Sequence, residues 1–381
     1  MLWRCRLSTQ DYAYDTQKVR ISYSTNLSRG AQLFKNFKKI AAATAAAGLL
    51  GLALSACSSA DKAITEADCG TEKAFCIGVV TDLGKVDDKS FNQAAWEGAV
   101  AGAEATGGFA KYVETTDSKD YAKNIALFGD KGYNVIVTVG FLMAEATVAA
   151  AATYPDVKFV GVDQFNGTDA ANVTGLIFDE DRAGFLAGYL AGNLTKSDKI
   201  GGVLGMKEVP PVRKFGEGYE AGIAYAAKEL GKTIKSSVIY HAAGDTAFND
   251  PAWGASTASQ LLGQGFDVIF GAGGNTGNGA ITKVAQTAGA FCIGVDIDQW
   301  NTVPEAQPCL VTSAEKKLVK GVTDLVVAAK DGTITAGNFV GEVGLSDYHD
   351  LSASVPQEVQ DKVTAITAKI VSGELATGVK P

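Results

Sequence analysis

Two aspartates and two phenylalanines recur at matched places in this chain, and that combination suits gripping a small molecule. Asp163 stands 28 residues after Val135, and Asp296 stands 28 residues after Val268. Each closes an apolar run, Val160-Gly161-Val162-Asp163 in one case and Ile293-Gly294-Val295-Asp296 in the other. Phe91 is followed seven residues later by Gly98, and Phe215 seven residues later by Gly222. A carboxylate accepts strong hydrogen bonds from ligand N–H or O–H groups, and an aromatic ring stacks on a flat ligand face. No nucleophile–base pair accompanies these groups. His241 and His349 are the only histidines, so a histidine metal site or a Ser-His-Asp triad has little material.

The elements that must place these residues alternate. Ala74–Thr81, Val135–Val139, Val157–Val162 and Val173–Phe178 are apolar runs of strand length, separated by the helical spacing of Phe91–Gly107, Tyr121–Lys131 and Ala144–Thr153. From Asp181 the pattern starts again, with strands expected at Ile200–Leu204, Ser236–His241, Val268–Ala272 and Phe291–Val295. Helices are expected at Ala183–Leu194, Val212–Leu230, Ala252–Leu262 and Gly277–Ala288. Such alternation predicts parallel sheets with right-handed crossovers, an α/β fold of two Rossmann-like lobes. Ligands of open α/β sheets bind beyond the carboxyl ends of the strands, so the repeat brings one Phe and one Asp from each lobe to a shared cleft. The late strand and helix of Cys309–Ala328 are expected to return to the first lobe, making a hinge of several crossings. The expected domains are therefore 74–180 with 309–332, and 181–308 with 333–381.

The 381 residues suit two domains after an N-terminal extension, and 46% apolar with 20% charged residues is a globular composition. The net charge of −8 argues against a nucleic-acid partner. Lys35, Lys38 and Lys39 precede the apolar run Ile40–Leu54 and then Leu54-Ser55-Ala56-Cys57. That is a secretory signal, too short for a spanning helix. Its ending is similar to the bacterial lipobox, which makes Cys57 the lipidated first residue of the exported chain. Residues 1–56 are thus leader and signal peptide, and 57–73 a polar tether. Met1–Gly30 has no apolar periodicity, which points to a start near residue 30 that would need a non-AUG codon. Cys69, Cys76, Cys292 and Cys309 are an even number in an exported domain, so disulfides are permitted; burial of Cys76 and Cys292 as small strand residues is the other reading.

The sharpest local signal is Asp82-Leu83-Gly84, then Asp87-Asp88-Lys89-Ser90-Phe91-Asn92-Gln93 and Trp96-Glu97-Gly98. Asp88 or Ser90 is placed to cap the helix that follows. With Tyr154-Pro155-Asp156-Val157-Lys158-Phe159, Phe185-Leu186-Ala187-Gly188-Tyr189, Phe215-Gly216-Glu217-Gly218-Tyr219, Gly294-Val295-Asp296, and Thr312-Ser313 with Lys316, it resembles the basic membrane protein family. These are lipoproteins similar to the purine-nucleoside receptors of bacterial ABC importers.

The resemblance spans nearly everything from Ala74 onward. It implies a type I periplasmic-binding fold, no catalysis, no cofactor, and a purine nucleoside as ligand. It implies a base stacked between Phe91 and Phe215, its edge met by Asn92 and Asp163. Asp296 and Lys316 would meet the ribose, and Asp82 would line the cleft. It also implies an ABC permease as partner and a lipid anchor on the outer face of the cell membrane. The open stretch Gly273–Gly279 and the second acid Asp298 depart from the family pattern. The glycine run lacks a phosphate-loop ending; glycines that let backbone approach a ligand hydroxyl at a helix start are the expectation. A sugar or autoinducer receptor of the same fold, and a surface adhesin that has lost its cleft, are the competing readings.

Overall fold

The computed structural model describes residues 64–380. Cys57 and the signal sequence before it lie outside the described residues.

The chain runs β1 (Cys76–Leu83), α1 (Phe91–Thr106), β2 (Phe109–Thr115), α2 (Tyr121–Gly129), β3 (Val135–Val139), α3 (Ala144–Thr153), β4 (Lys158–Val162) and β5 (Val173–Phe178). Then follow α4 (Glu180–Leu194), β6 (Lys199–Met206), α5 (Pro210–Leu230), β7 (Lys235–His241), α6 (Pro251–Gly263), β8 (Val268–Ala272), α7 (Gly274–Val284) and β9 (Phe291–Asp296). Last come α8 (Gln299–Thr302), β10 (Leu310–Lys316), α9 (Leu318–Lys330), β11 (Gly337–Gly341), β12 (Val343–Leu345) and α10 (Gln357–Val371). One sheet has the order β11-β5-β4-β3-β1-β2, the other β12-β10-β9-β8-β6-β7. The central strands are buried on both faces, which is why they read as continuous apolar runs. In the first lobe α1 and α9 cover one face and α2 and α3 the other; in the second, α4, α5 and α10 oppose α6 and α7.

Two expected boundaries need correction. Leu310–Lys316 does not return to the first lobe. It pairs parallel with β9, Glu315 opposite Asp296, and the Cys292–Cys309 disulfide joins the two strands where they begin. The helix after it, α9, does return and packs on α1. Conversely, β11 within 333–381 extends the first sheet beside β5. The chain therefore crosses between lobes three times, at Asp179, Lys317 and Glu342, and the Lys317 N–H donates to the Glu342 carbonyl.

The C-terminal part of the expected tether is also bound down. Glu66 accepts from Lys111 at 2.7 Å and Lys131 at 2.5 Å, and Cys69 is bonded to Cys76 at the start of β1. Cys76 and Cys292 are thus each a buried strand residue and each in a disulfide, with Cys69 and Cys309 respectively.

The repeated Phe-to-Gly spacing has a packing cause. A Cβ at Gly98 would lie 2.8 Å from the Val319 carbonyl oxygen, and one at Gly222 would lie 2.0 Å from that of Phe185. Each glycine lets its helix press against a neighbour, α1 on α9 and α5 on α4, which fixes where the Phe about two turns earlier is held.

Candidate functional site

Asp82, Phe91, Asn92, Asp163, Phe215, Asp296 and Lys316 all line one cavity between the two lobes. Asp163 follows β4 of the first sheet and Asp296 ends β9 of the second. Both are left-handed, with φ of 58° and 68°. Non-glycine residues held there are uncommon and cluster at functional sites. The twist turns each carboxylate off its strand and into the cleft.

Lys316, the last residue of β10, joins them. Its Nζ lies 2.5 Å from Asp163 Oδ2, 3.8 Å from Asp296 Oδ1 and 3.8 Å from Glu180 Oε1. The same ammonium is 4.6 Å from the centre of the Phe91 ring and 5.5 Å from that of Phe215. Lys316 is 3% exposed. Burial works against its charge, yet Asp163, Asp296 and Glu180 together hold its pKa above the usual lysine range. Burial pushes the pKa of both aspartates upward against the pull of Lys316. Lys316 therefore touches both aspartates and both rings. Asp163 Oδ1 is buried without a hydrogen-bond partner among the described residues.

The loop between β1 and α1 supplies the other wall. Phe91 opens α1. The expected cap falls to Asp88, whose carboxylate accepts from the backbone N–H groups of Ser90, Asn92 and Gln93 at 2.9, 3.0 and 3.1 Å. Burial still raises its pKa to about 7. Ser90 makes no cap and instead donates to Asp296 Oδ2 at 2.7 Å, across the cleft. Asn92 Nδ2 donates to the Lys85 carbonyl at 3.2 Å, which leaves its buried Oδ1 unpartnered. Asp82 accepts from the Tyr121 hydroxyl at 2.5 Å and from the Leu83 N–H at 2.7 Å. Burial lifts its pKa to about 6 against those bonds.

Several residues here escaped the sequence reading. Gln299 donates to the Lys89 carbonyl at 3.1 Å, Thr302 to the same oxygen at 2.9 Å, and Asn278 to the Asp88 carbonyl at 2.7 Å. Gln299 also bonds Asn278 at 2.7 Å. These bonds tie the second lobe to the first beside the cavity. Lys89 presents its carbonyl because its own φ is 59°. The open glycine run divides its work: Gly273 and Gly274 line the cavity at the start of α7, and Asn278 makes the tie. Asp298 is not in the cavity. It caps α8 at the Trp300 N–H and meets His349 at 2.8 Å. Glu180, behind Lys316, carried no signal beyond its place at a helix start.

Residues 76–378 match the family model of PnrA-like ABC transporter substrate-binding proteins. A Listeria monocytogenes protein named CD4+ T-cell-stimulating antigen is 32% identical over 355 residues, 87% of this chain and 96% of that one. The ABC transporter nucleoside-binding protein BmpA of Lactococcus lactis is 30% identical over 357 residues, 89% of this chain and 98% of its own. Among solved structures, an ABC transporter solute-binding protein of Aeropyrum pernix superposes with a TM-score of 0.72 at 25% identity, over 81% of this chain and 94% of that one. With two lobes of mainly parallel sheet joined by three crossings, this is the type I fold of periplasmic solute-binding proteins. The chain belongs to the PnrA-like family of ABC transporter substrate-binding proteins.

Proposed function

We propose that this protein captures a purine nucleoside outside the cell, held to the membrane by lipid on Cys57, and delivers it to an ABC permease. The observation that carries the reading is the pairing of two opposed rings, Phe91 and Phe215, with two buried acceptors that lack donors, Asp163 Oδ1 and Asn92 Oδ1. A buried acceptor left unpaired costs about 1–3 kcal/mol, so the ligand edge that belongs there carries N–H groups. A flat ring with N–H donors on its edge fits both features. The charge balance supports a ligand without phosphate. Asp163, Glu180 and Asp296 surround the Lys316 ammonium, and Asp82 and Asp88 add two more acids to the cavity wall. The nucleoside-binding name of the Lactococcus lactis relative points the same way.

Calorimetric titration checks the ligand class. Guanosine or inosine is expected to bind, and excess ribose is expected to leave that binding unchanged. Ribose displacing nucleoside at matched concentration would favour the sugar-receptor reading, and no heat with either would favour an adhesin. The anchor has its own test. One acyl chain holds a protein weakly whereas two or more hold it stably, so Cys57→Ser is expected to move the protein from the membrane to the soluble fraction. A cleaved Cys57→Ser chain that stays on membranes would show that Cys57 is not the anchor.

A further inference from the structure

Glu180 is 2% exposed, does not line the cavity, and lies 3.8 Å from the Lys316 ammonium. It opens α4 directly after the first crossing between lobes, and Lys316 closes β10 directly before the second. Both ends of this contact are therefore in the second lobe at the hinge, whereas Asp163 is in the first. The Lys316 ammonium now lies against Asp163 and between the faces of Phe91 and Phe215. A base stacked between those rings needs that space, and its N–H donors need the carboxylate that the ammonium occupies. Asp296 already accepts from Ser90. Glu180 is the remaining buried anion within a short swing of Nζ.

We propose that Glu180 is a positioning residue that takes the Lys316 ammonium over from Asp163 when a nucleoside base enters between Phe91 and Phe215. The inference rests on the nucleoside reading above. It explains why an acid is buried where it can touch no ligand, and it couples occupancy of the cleft to groups at two of the hinge crossings. The charged groups around Glu180 are Lys316 on β10, Asp163 after β4 and Lys214 on α5. Burial dominates among these influences and holds the Glu180 carboxyl well above the ordinary range. Arrival of the ammonium favours its ionisation, so the Glu180 proton passes to the buffer. At Asp163 the ligand N–H groups take the place of the ammonium.

The test is guanosine calorimetry near pH 7 in two buffers of different ionisation enthalpy. The wild type is expected to release close to one proton per guanosine bound. Glu180→Gln is expected to abolish that release and weaken binding about tenfold. Glu180→Asp, which keeps a carboxyl, is expected to retain the release. In a Lys316→Met background the Glu180→Gln change is expected to have no further effect on affinity, because the residue acts through the lysine. Proton release unchanged in Glu180→Gln, or an equal loss of affinity with and without Lys316, would overturn the inference while leaving nucleoside binding intact. Absence of guanosine binding by the wild type would overturn both. Should Glu180→Gln not fold, the wild type alone decides: its proton release must disappear well above pH 8, where Glu180 is already ionised.

Discussion

Phe91→Ala and Phe215→Ala are each expected to weaken nucleoside binding by about tenfold to a hundredfold. Stacking of a base on an aromatic side chain is worth about 1–3 kcal/mol per contact, and each 1.4 kcal/mol is about a factor of ten. The two substitutions differ in what else they remove. Phe91 is half-buried on the first turn of α1, so its loss is expected to act mainly on the ligand. Phe215 is 3% exposed and meets Phe270 edge-on at 6.1 Å. Truncating a buried Phe costs about 3–5 kcal/mol of stability, so Phe215→Leu is the cleaner probe there. It keeps most of the apolar volume and removes the flat face. Fluorescence or calorimetric titration with guanosine, alongside thermal melts, separates the effects. A Phe91→Ala protein that melts and binds like the parent would make that ring a wall and not a stacking partner.

The repeat made the rings and the acids legible. A carboxylate at the end of a buried strand and a Phe near the start of a helix are set by local rules, so matched spacing in two halves brings one of each from both lobes to the cleft. Phe91 opens α1, whereas Phe215 lies a turn further into α5. The left-handed backbone at both Asp163 and Asp296 bears this out at the level of torsion angles. The expectation of Lys316 at the cleft rests on the family resemblance alone; its place at the end of β10, one strand over from Asp296, is the structural reason it arrives there.

What the sequence did not disclose depends on contacts between segments far apart in the chain. Whether β10 lay in the first or second sheet turned on strand pairing, and Leu310–Lys316 is apolar enough at its start for either. The ties from Asn278, Gln299 and Thr302 land on backbone carbonyls of Asp88 and Lys89, which have no side-chain identity to mark them. Ser90 looked like a cap and bonds Asp296 206 positions away. Glu180 sits where acids commonly favour a helix start, and its ion-pair partner, Lys316, comes from a strand far along the chain.

Asp163 and Asp296 are expected to divide a nucleoside between them, and their substitutions are expected to fail in different ways. They belong to opposite lobes, so one ligand spanning the cleft meets them at different ends. Asp163 offers an unpartnered Oδ1 in the cavity with Asn92 Oδ1, a pair of acceptors suited to ring N–H and exocyclic amine donors. Asp296 already accepts from Ser90 on Oδ2, and its Oδ1 faces Lys316 at 3.8 Å, which leaves it room to accept from a vicinal hydroxyl pair. A site built to bond a hydroxyl rejects the analogue without it, because the buried acceptor is then unpaired. Hydrogen bonds to charged groups contribute about 1.5–3 kcal/mol, so guanosine is expected to bind about tenfold to a hundredfold more tightly than 2′-deoxyguanosine. Asp296→Ala is expected to erase most of that gap. Asp163→Ala is expected to keep it and instead to reduce the difference between guanosine and adenosine. Lys316 retains Asp296 and Glu180 as partners in that variant, so the ammonium is not left alone in the core. Calorimetric titration of both variants with the three nucleosides decides the orientation: if Asp163→Ala removes the ribose preference and Asp296→Ala preserves it, the nucleoside lies the other way round between the two rings.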